Sequence, residues 1–123
     1  MASITFAEEA VTIRFSGWER LWVGRERQVI PLAAIRGAAY VERPLSLARG
    51  ARRGLVVSGY TKVGVWGMFA GPRQLVAARH GAPGVHLVLD RPVSGGEFDE
   101  VIVSDPAAAS LVQAIQHKAG ARR

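Results

Sequence analysis

The chain contains no cysteine, which excludes disulfide cross-links, thiolate nucleophiles and sulfur-ligated metals together. Acidic residues are scarce: 10 Asp and Glu stand against 16 Lys and Arg, leaving a net charge of +6. Aromatic residues fill only 7% of the 123 positions, so the placement of each one matters. Long apolar runs are missing too, and no stretch approaches the roughly 20 residues that a membrane-crossing helix needs. The opening MASITFAEEA has neither a basic flank nor an apolar core, so no secretory signal is read there. The expected location is cytoplasmic, with the inner face of the membrane as a peripheral alternative.

What remains is ordinary for one globular domain. Hydrophobic residues make up 49% of the chain, and a domain of this size buries roughly two-thirds of its unfolded surface. The charge is unevenly spread. Seven basic residues and no acid lie between Arg43 and Leu89, whereas five acids and one Arg lie between Asp90 and Asp105. Blocks of this kind suit an anionic partner on one side, or head-to-tail association between copies; solvated Arg that keeps the domain soluble is the plainer reading.

Most of the chain reads as short strands. Val11, Ile13 and Phe15 alternate with Thr12, Arg14 and Ser16, the period of a half-buried strand. Ser16-Gly17 reads as a turn, Glu19 to Val23 as the returning strand with Leu21 and Val23 inward, and Arg27 to Leu32 as a third strand that Pro31 places at an edge. Leu32 to Ile35 suggests a helical turn, and Ala38 to Glu42 a further strand. Arg43 to Ser58 is irregular and reads as a loop around a brief strand at Leu55 to Val57. Lys62 to Phe69, Leu75 to His80, Val85 to Leu89 and Phe98 to Val103 complete the strands. One helix follows: Ser104 or Asp105 caps it, Pro106 fits its first turn, and Ala108, Leu111, Val112, Ile115 and Ala119 form an apolar stripe. Many strands followed by one C-terminal amphipathic helix predict a mainly β fold, a small barrel or sandwich with the helix over an open end.

Catalytic signatures are missing. His80, His86 and His117 do not fall at a metal-ligand spacing, and no Ser lies in a nucleophile-elbow setting. Gly59 to Gly64 has the glycine spacing of a phosphate loop, but Val65-Trp66 stand where Lys and Ser or Thr are required. Glu8-Glu9 and Asp99-Glu100 lack the apolar surroundings that tune a carboxyl for proton transfer. No enzyme, metal or cofactor is expected.

The binding candidates are Arg43, Arg49, Arg52, Arg53 and Lys62. Near an anionic lipid surface each contributes about 1 kcal/mol, and five such terms give only sub-millimolar affinity, so membrane recruitment needs avidity or a shaped headgroup pocket. Nucleic acid is the less favoured anion, since Tyr60 and Trp66 are its only evident stacking residues. Trp22 and Trp66 are candidate interface residues, because an outward Trp on a strand is either covered by a loop or an anchor for a partner.

The run Val11 to Phe15, then Ser16-Gly17-Trp18-Glu19, then Val29-Ile30-Pro31-Leu32-Ala33-Ala34-Ile35, resembles the opening of a bacterial pleckstrin-homology-like family common in actinobacteria. Phe98-Asp99 leading to Val103-Ser104-Asp105-Pro106 and the helix resembles its ending. The resemblance implies a bent antiparallel barrel of about seven strands over residues 1–123, closed by the C-terminal helix. The fold signature, the missing catalytic groups and the charge asymmetry together point to a non-enzymatic binding or scaffolding module that contacts a protein partner or its own copies; the alternative is anionic-lipid, or less favoured nucleic-acid, binding through the basic loop. Gly59 to Gly67 lacks the proline common in that family's loop, so no binding role carries over to it.

Overall fold

The computed structural model describes residues 2–7, 9–48, 52–57, 60–67, 72–90 and 98–121; at 52, 53, 57 and 119–121 it describes the backbone alone. Among these residues the protein is mainly β, with nine strands and two α-helices. β1 (Ser3–Ala7), β2 (Ala10–Arg14) and β3 (Arg27–Pro31) form a three-stranded antiparallel sheet. The second sheet holds β4 (Ile35–Val41), β5 (Arg52–Val57), β6 (Thr61–Trp66), β7 (Gln74–Arg79), β8 (Gly84–Leu89) and β9 (Glu100–Ser104), in the spatial order β4-β8-β9-β7-β6-β5. Helix α1 (Gly17–Val23) connects β2 to β3, and α2 (Ala108–Ala121) ends the chain.

Two expectations change here. The strands form two open sheets rather than a closed barrel among the described residues, and β7 pairs with β9 in parallel, Leu75 opposite Val101. The cause is that β9 inserts between β7 and β8 instead of adding at an edge, and it runs antiparallel to β8. Both strands of the parallel pair are buried along their whole β9 face and nearly all of β7, as expected of parallel strands covered on both sides.

The second change is α1, which replaces the strand expected over Glu19 to Val23. Ser16 and Glu19 form a reciprocal capping box, with the Ser16 backbone N–H donating to Glu19 Oε1 at 2.9 Å and its hydroxyl at 2.7 Å. Gly24 closes the helix in the left-handed conformation at φ 82°, which costs glycine little. Glu19 and Val23, four residues apart, therefore face inward, and Leu21 faces out.

One core lies between the sheets. Val11, Ile13 and Ile30 from the first sheet meet Val63, Leu75, Val85, Leu87 and Val101 from the second. α2 packs over β1, β4 and β8, bridging both sheets through Ala108, Val112 and Ile115. Its expected cap is present: the Ala107 N–H donates to Asp105 Oδ1 at 2.8 Å. A smaller cluster of Trp66, Val76, Ala78 and Ile102 sits on the opposite face of the large sheet, beneath Leu45, Leu47 and Ala48. The irregular segment after Pro44 thus covers that face, with a 3-10 turn over Pro44–Leu47.

β5 and β6 approach closely where Gly54 lies opposite Gly64. A methyl at Gly54 would collide with the Val63 carbonyl and lie 2.8 Å from Gly64 Cα. Gly54→Ala is expected to cost about 1–3 kcal/mol of stability, as overpacking against backbone does. Urea denaturation measures it, and an unchanged midpoint would mean the two strands part freely.

Candidate functional site

The large sheet and the segment after β4 together border an open cavity of about 580 Å³. Its cationic wall is built from three separate stretches: Arg43 just after β4, Lys62 on β6, and Arg79 with His80 at the end of β7. The β6–β7 register, Thr61 opposite Arg79 and Lys62 opposite Ala78, brings the last two stretches together. Glu42 is the single acid among the described lining residues.

The wall is held in place from several directions. Pro44 seats directly on β8, where a methyl at Gly84 would lie 2.8 Å from Pro44 Cβ and 3.0 Å from the Val103 carbonyl oxygen. Lys62 Nζ donates to the Leu45 carbonyl at 2.8 Å, and Gln74 Nε2 donates to the Leu47 carbonyl at 2.8 Å. An ammonium carries three donors, so Lys62 is fixed by one while the others remain for a ligand. Ser46 Oγ donates to the Arg43 carbonyl at 2.9 Å. His80 donates its backbone N–H to the Tyr60 carbonyl at 2.6 Å, and the two rings meet edge to face at 6.0 Å.

Arg79 borders both this cavity and a second recess. Its Nε is buried and has no hydrogen-bond partner among the described residues, although a buried guanidinium nitrogen normally finds one. Its backbone is pinned by the N–H donating to Ser104 Oγ at 3.0 Å. The same side chain borders a smaller recess of about 180 Å³ that Trp18, Thr61 and Ser104 also line.

The cavity thus gathers Arg43 and Lys62 from the sequence candidates. Arg49 lies outside the described residues, and Arg52 and Arg53 are placed only by backbone, on β5 opposite Trp66 and Val65. Sequence reasoning missed Arg79 and His80 as binding residues. Arg79 belonged to the acid-free block, but only the fold shows that it borders the same cavity as Lys62. Trp66 is corrected: it is 4% exposed and packs inside the smaller cluster, because the segment after Pro44 covers the sheet face to which it points. Trp22 remains at the surface, on α1 rather than a strand, beside Trp18 and Leu21. The Ser16-x-x-Glu19 spacing was the local signal for that helix.

A second polar pair lies on the outer face of the sheet, where His86 Nε2 and Glu100 Oε1 are 2.6 Å apart. It is remote in role from the cavity, being a cross-strand contact between β8 and β9. Among the described residues no group of His, Asp or Glu could hold a metal ion, and no helix is long and apolar enough to cross a membrane. Comparison with family models, curated proteins and solved structures finds no match.

Proposed function

We propose that this chain is a non-enzymatic binding module whose ligand presents an anionic group, phosphate foremost, to the cavity of Arg43, Lys62, Arg79 and His80. The observation that carries this reading is the convergence of Arg43, Lys62 and Arg79 on one cavity, with Glu42 the one acid among its described lining residues. Charge-assisted hydrogen bonds to an oxyanion are about twice as strong as neutral ones. Cations already fixed by Leu45 and by the sheet lose little freedom on binding. Ser46, the only hydroxyl among the described lining residues, is engaged with its own turn, which favours binding over chemistry.

The pleckstrin-homology-like relation belongs to the same proposal. Its support is the order of many strands followed by one helix lying across both sheets; α1 and the parallel β7–β9 pair are departures that the relation has to accommodate. Contact with a protein partner or with further copies is the weaker reading. Trp22 offers it a surface, but Arg14, Arg20 and Arg27 are exposed around it, and two copies meeting face to face there would set like charges together.

Titration calorimetry with pyrophosphate at low ionic strength tests the cavity. Binding is expected, with Arg43→Glu weakening it by about tenfold or more, since a cation is lost and a like charge is placed against the ligand. Far-ultraviolet dichroism should be unchanged, because Arg43 is exposed. Absence of any heat at millimolar pyrophosphate, or equal affinity in Arg43→Glu, would remove the proposal.

A further inference from the structure

Helix α1 is amphipathic with its apolar side turned outward. Glu19 and Val23 face the protein, while Trp18, Leu21 and Trp22 are 46%, 77% and 38% exposed. Their spacing of three and four residues puts them on one side of the helix. The helix is held at one end by the capping box, at the other by Gly24, and inward by Val23. A contiguous, partly exposed face with two Trp and one Leu marks an interaction surface in a small domain.

Charge selects the occupant. Arg20 is exposed on the same helix, and Arg14 and Arg27, opposite one another in the β2–β3 ladder, are exposed where the chain enters and leaves it. Glu26 is the exposed acid beside them. A second copy would set this basic surround against its like. The neighbouring recess adds a positional argument: Trp18 and Arg79 line it together, and Arg79 also lines the cationic cavity. An aromatic anchor and an anion pocket that share a residue match a partner whose apolar and anionic parts lie side by side.

We infer that α1 is an interfacial anchor, which seats Trp18, Leu21 and Trp22 at the headgroup–acyl boundary of an anionic bilayer while the cavity takes a lipid phosphate. Helices of this composition, with Trp and Leu on one side and Arg beside them, lie in that boundary and bind by apolar burial plus attraction to anionic lipid. The headgroup part rests on the proposed anion-binding role of the cavity and names the source of its anion; the apolar seat stands on α1 alone.

The test uses the full chain with vesicles of phosphatidylcholine alone or with about 30% phosphatidylglycerol, an anionic lipid. Wild type is expected to co-sediment with the anionic vesicles at least about tenfold more strongly than with neutral ones, and less so at high salt. Its Trp emission should move to the blue as Trp18 and Trp22 leave water. The triple substitution Trp18→Ser, Leu21→Ser, Trp22→Ser is expected to lower vesicle binding by about tenfold or more while keeping the wild-type far-ultraviolet dichroism and a cooperative urea transition, which shows that it is folded. Failure of wild type to bind anionic vesicles, or undiminished binding by the triple variant, overturns the anchor. A dimer in sedimentation that the triple variant abolishes, without vesicle binding, assigns the face to a second copy and also overturns it. If vesicle binding depends on α1 but pyrophosphate is never bound, the anchor stands and the cavity reading falls.

Discussion

Ile115→Asp is expected to abolish the folded state, whereas Gln113→Asp, two positions away, leaves stability within about 0.5 kcal/mol of wild type. The contrast follows from where α2 points each residue. Ile115 is 1% exposed and belongs to the core between the sheets, while Gln113 is exposed. Truncation alone, as in Ile115→Ala, should cost about 2–5 kcal/mol through lost burial and the cavity left behind. A carboxylate at the same place also loses its hydration without a partner, an added cost of several kcal/mol. Small domains hold only about 5–15 kcal/mol in total, so the two terms exhaust the reserve. The position matters beyond its own contacts, because α2 touches β1 in one sheet and β4 and β8 in the other. The sheets are open, with no closed barrel among the described residues to join them, and detaching the helix bares the core between them. Urea denaturation followed by circular dichroism measures the series. A folded Ile115→Asp protein with a near-native midpoint would mean that α2 is not what closes the core.

The contrast between α2 and α1 shows which features could be read from the chain. α2 was legible because its signals are local: Asp105 caps, Pro106 starts the turn, and the stripe repeats over three turns. β2 and β8 were legible for the same reason, their alternation being written in adjacent residues. In α1 the segment is seven residues long, short enough that Leu21 and Val23 mimic a strand while Glu19 and Val23 satisfy a helix. The capping box decides between them, by supplying partners for N–H groups that a strand would have placed in a ladder. Sheet order was not legible. The insertion of β9 between β7 and β8 depends on pairings far apart in sequence, and its only trace was the unbroken apolar runs Leu75 to Ala78 and Val101 to Val103, which suit strands covered on both faces. The cavity has the same character. Arg43 and Lys62 stood out as members of an acid-free block, but their meeting with Arg79 and His80 requires the register of β6 on β7 and the return of the Pro44 segment onto the sheet.

Trp66→Ala is expected to lower stability by about 3–5 kcal/mol, the usual cost of emptying a buried aromatic site. Alternation along β6 correctly places Trp66 on the face opposite Val63 and Val65, and an outward Trp on an uncovered sheet would be an interface residue. Here that face is covered. Leu45, Leu47 and Ala48 pack against the cluster that Trp66 forms with Val76, Ala78 and Ile102, and the Lys62 and Gln74 side chains tie the Leu45 and Leu47 carbonyls down. The loss of Trp66 therefore loosens the same segment that supplies Arg43 and Leu45 to the cavity. Pyrophosphate affinity should fall in Trp66→Ala although Trp66 does not line the cavity, because Arg43 and the anchor of Lys62 are then less well fixed. Trp22→Ala should behave in the opposite way, with stability changed by less than about 0.5 kcal/mol and pyrophosphate affinity kept. Chemical denaturation and calorimetry on the two variants separate a Trp that holds the segment from a Trp that awaits a partner. Equal, small stability losses in both would show that the segment after Pro44 is not seated on Trp66, and the preorganised cationic wall would lose its foundation.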